Sequence, residues 1–321
     1  MMGRRDSSRE VDLPMVGKFT PLVAAPSTSD AGRPVESPPT MTSPTRAGGV
    51  ASGPEGHPRL SEIAICPACG TRLAGSPACT GCGRVFRESE GILTVVEALR
   101  GRNRIAGAFY DGPGWARFRF WEGLFLRVQG GESRARRQIL RHLTGPPFAR
   151  VLEVGIGSGS NLALLPDDWT TYGVDIAMTP LNDCLDREPS MAGRLARAEA
   201  EALPFADGTF DACFTLGGFN YFADHDAALR EMRRVTRPGG TLVVADEVPN
   251  LHRFGIGHLV GLPAIDGVWL RALGLDREFV EMVFHPDDNP EHVVRDNWPD
   301  AVRHPIWAGL GYCFVLSGDR K

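Results

Sequence analysis

The sequence predicts an α/β fold built on a doubly wound, mostly parallel sheet. Three observations carry that expectation. From Val151 onward, apolar runs of strand length alternate with amphipathic runs of helical length, the pattern of successive βα units. The stretch VLEVGIGSGSN (Val151–Asn161) is a buried-strand signal followed by Gly155, Gly157 and Gly159, a backbone bare enough for a ligand to approach closely. An aspartate, Asp175, then ends the next strand-like run, TYGVD, 20 residues beyond Gly155.

Residues 1–60 are rich in Pro, Ser, Thr, Gly and Ala and have no apolar periodicity, so they are expected to be a disordered tail. Residues 61–100 change character. Cys66, Cys69, Cys79 and Cys82 follow the spacing C-x2-C-x9-C-x2-C, with Gly70 and Gly83 directly after each pair. Four thiolates in two such knuckles can surround one Zn²⁺ tetrahedrally, a closed structural site that props a segment too short for its own core. A redox pair would come singly, and two disulfides are disfavoured in a reducing compartment. Residues 101–145 read as a helical cap with an aromatic cluster at 109–125, interrupted by DGPG (Asp111–Gly114). That cluster reads as core packing or as a lid over a small-molecule site.

The expected strands of the main domain (101–321) are Arg150–Val154, Thr171–Asp175, Ala212–Leu216, Thr241–Ala245, Phe279–Phe284 and Tyr312–Leu316. Expected helices include Ser133–Leu143 and Asp224–Thr236, the latter stopped by Pro238, Gly239 and Gly240. The stretch 248–279 is too long for a plain connection, and its apolar content marks it as a substrate-side insertion.

The chain has 321 residues, 42% hydrophobic and 23% charged, with a net charge of −4, which fits a globular protein. Charge is unevenly spread: residues 84–150 carry 13 arginines against six carboxylates, whereas 151–321 is strongly acidic. The basic stretch is either a set of solvated helix arginines or a face for an anionic partner. No apolar run approaches the ~20 residues of a membrane span. The N-terminus lacks the order of a signal peptide, so a cytoplasmic location is expected.

In a doubly wound sheet, ligands bind beyond the carboxyl ends of the strands at the switch point, where Gly155, Gly157 and Gly159 would lie. A carboxylate at Asp175 can accept both hydroxyls of a ribose. A dinucleotide fingerprint reads G-x-G-x-x-G, but Ser160 stands where its third glycine would fall. Glu153, just before the loop, would repel a pyrophosphate and attract an ammonium group. Both features favour S-adenosylmethionine over NAD.

The run AEAEALPFADGTFD (Ala198–Asp211) and LREMRRVTRPGGTLVVAD (Leu229–Asp246) complete a pattern that resembles the class I S-adenosylmethionine-dependent methyltransferases, the broad group with the ubiquinone/menaquinone-type enzymes. The resemblance covers about residues 145–247. It implies a seven-stranded Rossmann-like methyltransferase sheet. It also implies Gly155, Gly157 and Gly159 along the methionine moiety, Glu153 near its amino group, Asp175 on the ribose and Ile176 against the adenine. Glu199, with the neighbouring Ala200, stands where the family contacts the adenine amino group, and Leu216 ends a strand beside the cofactor.

Methyl transfer from a sulfonium is an in-line displacement, and a general base is needed only for a weakly acidic or protonated acceptor. Tyr221, His225, Asp246, Glu247 and His252 lie near the expected strand tips. Tyr221, Glu247 and His252 are the foremost candidates. The expected acceptor is a small apolar or aromatic molecule. RNA is the alternative, because some rRNA guanine methyltransferases carry a zinc ribbon ahead of the same fold. A non-catalytic binding protein that keeps the fold, and an NAD-dependent oxidoreductase, complete the alternatives.

Overall fold

A computed structural model describes residues 57–248, 277–283 and 290–317. The expected tail up to residue 56, the bulk of the 248–279 insertion and His252 lie outside them. The described elements are α1 (Leu60–Ile63), β1 (Arg87–Ser89), β2 (Ile92–Thr94), α2 (Gly101–Asp111), α3 (Gly114–Val128) and α4 (Glu132–Leu140). There follow β3 (Arg150–Val154), β4 (Thr170–Asp175), α5 (Met178–Arg187), β5 (Leu195–Arg197), β6 (Phe210–Leu216), α6 (His225–Val235) and β7 (Thr236–Glu247). The chain closes with α7 (Arg277–Val283), α8 (Pro290–Asn297), β8 (Val302–Ile306) and β9 (Gly311–Ser317).

One sheet runs β1-β2-β5-β4-β3-β6-β7-β9-β8. The pairs from β2 through β7 are parallel, while β1, β8 and β9 pair antiparallel. Seven of these strands, β3 to β9, form the expected sheet. The other two come from the cysteine-bearing segment: β2 lies parallel to β5, with Ile92 opposite Leu195 and Thr94 opposite Arg197. An edge strand offers unpaired backbone groups, and the hairpin covers that edge.

The expected strand Phe279–Phe284 is instead the helix α7. Phe279 and Met282, one turn apart, bury against Phe109 and Tyr110 of α2. A short apolar run fits either period, and the packing partner selects the helical one.

Period-two alternation sorts the core into two layers. Leu152 and Val154 of β3 face the cluster that holds Ala228, Leu229, Met232 and Val235 of α6. Val151 faces the opposite cluster with Phe214, Val243 and the α4 residues Ile139 and Leu140. Glu153 shares the Val151 side, which puts a carboxylate into the α4 layer. Helix α6 starts where the Asp224 side chain accepts from Ala227 N at 2.9 Å, a cap worth about 1 kcal/mol. Burial of Leu229, Met232 and Val235 adds ~1.5–3 kcal/mol each. No described helix is long and apolar enough to cross a membrane.

Candidate active site

The carboxyl ends of β3, β4, β6 and β7 open into one cleft, roofed by α2, α3 and α4. The strand order reverses between β4 and β6 about β3, so the loop after β3 sits at the switch point. Gly155 and Gly157 have φ values of +74° and +54°, a region that strains any other residue, and both line the cleft. Gly159 does not line it. A Cβ there would stand 2.7 Å from Cys184 Sγ, so this glycine serves the packing of the loop onto α5.

Asp175 holds this loop as well as facing the cleft. Its Oδ2 accepts from Gly157 N at 2.9 Å and its Oδ1 from Ala177 N at 3.0 Å. Each oxygen keeps lone-pair capacity for a further donor. Burial pushes the carboxyl up to about 6, against the pull of the backbone donors.

Glu153 is 1% exposed. Asn161 Nδ2 donates to its Oε1, while Oε2 is buried with no hydrogen-bond partner among the described residues. Burial is the largest cause that raises its carboxyl to about 8. A buried acceptor without a donor is costly by itself and well suited to a cleft that receives a cationic group. The ammonium of S-adenosylmethionine fits that need, and the left-handed glycine backbone fits a ligand at close approach.

Ile176, Ala198 and Ala200, on the side where the adenine is expected, line the cleft. Glu199 does not line it directly. Asn103 of α2, 4% exposed, does, and its Nδ2 donates to Glu199 Oε1 at 3.1 Å and Glu201 Oε2 at 3.0 Å. Leu216 lines the cleft as expected.

The cap closes the opposite wall. Trp115 Nε1 donates to Asp183 Oδ2, and Thr179 N donates to Asp111 Oδ1 at 2.8 Å, tying the start of α3 and the end of α2 to α5. The Trp115 ring lies over the glycine loop, 3.7 Å from where a Gly157 Cβ would be. Behind it, Arg136 donates to Glu132 at 3.1 Å, Asn161 at 3.2 Å and Glu122 at 2.8 Å. Sequence reasoning gives no site role to Asn103, Arg119, Arg136 or Asn161, and reads Trp115 only as a member of the aromatic cluster at 109–125.

At the tip of β7, Tyr221 OH donates to Glu247 Oε1 at 2.9 Å, and both residues line the cleft. Burial, then the Glu247 charge, raises the Tyr221 phenol well above its ordinary value, so it keeps its proton. Tyr221 stacks on Phe279 with centroids 5.7 Å apart and meets Tyr110 edge-on at 6.3 Å. Asp246 turns the other way. It is fully buried and accepts from Asn220 N at 2.8 Å and Glu247 N at 2.9 Å, anchoring the turn that carries Tyr221. His225 packs edge-on against Phe219 in the core.

The sulfurs of Cys66, Cys69, Cys79 and Cys82 all lie within 4.8 Å of one another. The Cys66–Cys82 and Cys69–Cys79 pairs are 3.6 and 3.4 Å apart. Hydrogen bonding with Thr71 pulls the Cys69 thiol down to about 6. Leu60, Ala64, Leu73 and the cysteines Cys66 and Cys79 share one core cluster with Ala198, Ala200, Leu203 and Phe205, from the loop that borders the cleft. Many of the basic stretch's arginines face carboxylates, as in the Arg84–Glu97, Arg104–Glu278 and Arg136–Glu122 pairs.

Residues 152–244 match a family model described as a methyltransferase domain. The chain is 34% identical over 196 residues to a demethylmenaquinone methyltransferase of Beutenbergia cavernae, covering 57% of this chain and 75% of that one. It is 34% identical over 208 residues to the demethylmenaquinone methyltransferase of Roseiflexus castenholzii, covering 60% and 84%. A 2-methyl-6-phytyl-1,4-hydroquinone methyltransferase of a Synechocystis species is 34% identical over 106 residues, covering 32% and 33%.

Proposed function

We infer the acceptor from this premise: the chain belongs to the class I S-adenosylmethionine-dependent methyltransferases. It transfers a methyl group from S-adenosylmethionine to a small acceptor. We propose that the acceptor is an apolar aromatic ring bearing an ionisable hydroxyl, of the quinol type named for the relatives. The carrying observation is the Tyr221–Glu247 pair, a proton-holding phenol bound to a carboxylate and set in an aromatic wall at the cleft.

When bound, the cofactor supplies a methyl group on a sulfonium, an electrophile with a good leaving group. The chain's own task is alignment and exclusion of water, and alignment alone is worth ~7–11 kcal/mol. Glu153 accepts from the methionine ammonium and Asp175 from the ribose hydroxyls. Gly155 and Gly157 let the backbone close in, while Ile176, Ala200 and Leu216 pack on the nucleoside side. Asn103, bound to Glu199 behind it, stands on the adenine side in place of Glu199 itself. Tyr110 and Tyr221 hold the acceptor ring. Tyr221 orients Glu247, and Glu247 takes the hydroxyl proton, which raises electron density on the acceptor as it attacks. His252 is carried no further, because it lies outside the described residues.

We assign the four cysteines to a structural zinc ion. Tetrahedral Zn–S bonds of ~2.3 Å put sulfurs about 3.8 Å apart, close to the pairs found here. With four thiolates the site keeps no open position for catalysis.

RNA is not favoured as acceptor, since the relatives named above act on small molecules and the basic stretch is partly neutralised from within. The test is mass spectrometry of the protein with S-adenosylmethionine and a short-chain demethylmenaquinol, a hydroquinone or ribosomal RNA. Methylation of a quinol is expected. Methylation of RNA alone, or of no ring by a protein that binds S-adenosylhomocysteine, would sink the acceptor reading and leave the cofactor standing.

A further inference from the structure

We propose that Arg119, delivered by the cap helix α3, binds the carboxylate of the cofactor's methionine moiety and makes the site selective for a ligand with a complete amino-acid end. The proposal rests on the reading that this cleft holds S-adenosylmethionine.

A zwitterion needs two partners of opposite charge a few ångströms apart. The floor of the cleft supplies the acceptor, Glu153, whose Oε2 is buried and unmatched. The carboxylate sits one carbon from the ammonium and needs a cation on the wall nearby. Among the described residues, the cations lining the cleft are Arg119 and Arg136. Arg136 is committed: it is 4% exposed, and its Nε, Nη1 and Nη2 each donate to an acceptor in the protein. Arg119 is not. Its side chain is 25% exposed, and among the described residues only Nη1 donates, to Glu122 at 2.5 Å. Its Nη2 is 3.8 Å from Glu132, too long for a hydrogen bond. Nε and Nη2 therefore keep donors to offer, in the fork that suits a carboxylate.

Its position agrees with its chemistry. The guanidinium carbon lies 5.7 Å from the centre of the Trp115 ring, and that ring lies over Gly157. Stacking on an aromatic face fixes the plane of the guanidinium without using its N–H donors. The same helix so places an apolar cover and a cation above the loop that receives the methionine moiety. Ser158 and the loop amides add neutral donors but no charge.

The test is calorimetry with two ligands that share adenosine and sulfur. S-adenosylhomocysteine carries the amino-acid end; 5′-methylthioadenosine lacks it. In Arg119→Gln, affinity for S-adenosylhomocysteine is expected to fall about tenfold or more, the scale of a lost charged hydrogen bond. Affinity for 5′-methylthioadenosine is expected to change less than twofold, and Arg119→Lys to recover part of the loss. Arg127→Gln, exposed on the same helix, is expected to change neither. Circular dichroism and the melting temperature check that the variants are folded. Equal losses for both ligands, or none, would overturn the proposal. A wild type that binds neither ligand would overturn the cofactor reading itself, a separate result.

Discussion

Asn161 Nδ2 donates to Glu153 Oε1 at 2.5 Å, and that amide is the one hydrogen-bond donor the buried carboxylate receives among the described residues. Its raised pKa of about 8, against an ordinary 4.5, means that the unliganded fold takes up a proton here that the unfolded chain has released. Stability therefore falls as pH rises from about 4.5 to about 8, by a few kcal/mol at this order of magnitude. Glu153→Gln keeps the acceptor for Asn161 and removes that cost. Its melting temperature is expected to exceed the wild type's at about pH 8 and to equal it near pH 4, with binding of S-adenosylhomocysteine lost. A variant no more stable at the higher pH, read by calorimetric melting, would contradict this account.

The same group links binding to protons. An ammonium beside Glu153 favours the ionised carboxylate, so binding at about pH 7 releases a proton. Calorimetry in buffers of different ionisation enthalpy reads it directly: the apparent binding enthalpy is expected to vary with the buffer, and affinity to rise between about pH 6.5 and 8. A binding enthalpy independent of buffer refutes the linkage.

Asp175 holds the glycine loop through Gly157 N and lines the cleft where the proposed ribose contact lies. Asp175→Ala removes both, and S-adenosylhomocysteine affinity is expected to drop by more than about tenfold. Because its carboxyl titrates at about 6, wild-type affinity is also expected to fall as pH drops below about 6. Titration across about pH 5–7 with retained ellipticity checks both points.

Gly159 is expected to be a stability residue and not a binding one. Its φ is +69°, and a Cβ would stand 2.7 Å from Cys184 Sγ and 2.8 Å from Leu162 Cδ1. Gly159→Ala should cost ~1–3 kcal/mol in denaturant melts. Gly159→Ala combined with Cys184→Ala should recover part of that loss, and a double variant no better than the single one argues against the steric cause.

Removal of the proposed zinc is expected to weaken cofactor binding before the catalytic sheet melts, because the cysteine knuckles share a core with the loop at 198–205 that borders the cleft. Elemental analysis should find one zinc per chain, lost in Cys69→Ser. Metal-free protein with unchanged S-adenosylhomocysteine affinity would show that the segment only props itself.

Much of the cofactor half is legible in the amino-acid sequence. The strand Arg150–Val154 matches, the glycine loop sits at its tip, and Asp175 ends the neighbouring strand and faces the cleft. Asp224–Thr236 reads within one residue of the helix at each end. These signals are local, since a strand, a bare turn and a carboxylate follow one another within a short window of the chain. What fails locally is the short run at Phe279, whose apolar content fits two periods. Strands β1, β2, β5 and β8, of three to five residues each, escape for the same lack of pattern.

By itself, the sequence determined the strand, glycine loop and aspartate at the cleft and the grouping of four cysteines, because both depend on spacing within a short window. Only the tertiary structure decided which candidates face the cleft. Strand alternation at β7 turned Asp246 into the core and Glu247 into the cleft. Packing of α2 brought Asn103 to Glu199, 96 positions away in the chain, and packing of α3 brought Arg119 to the cleft. Those encounters are set by the fit of whole helix faces against one another and against the sheet, a property that no short run of residues carries.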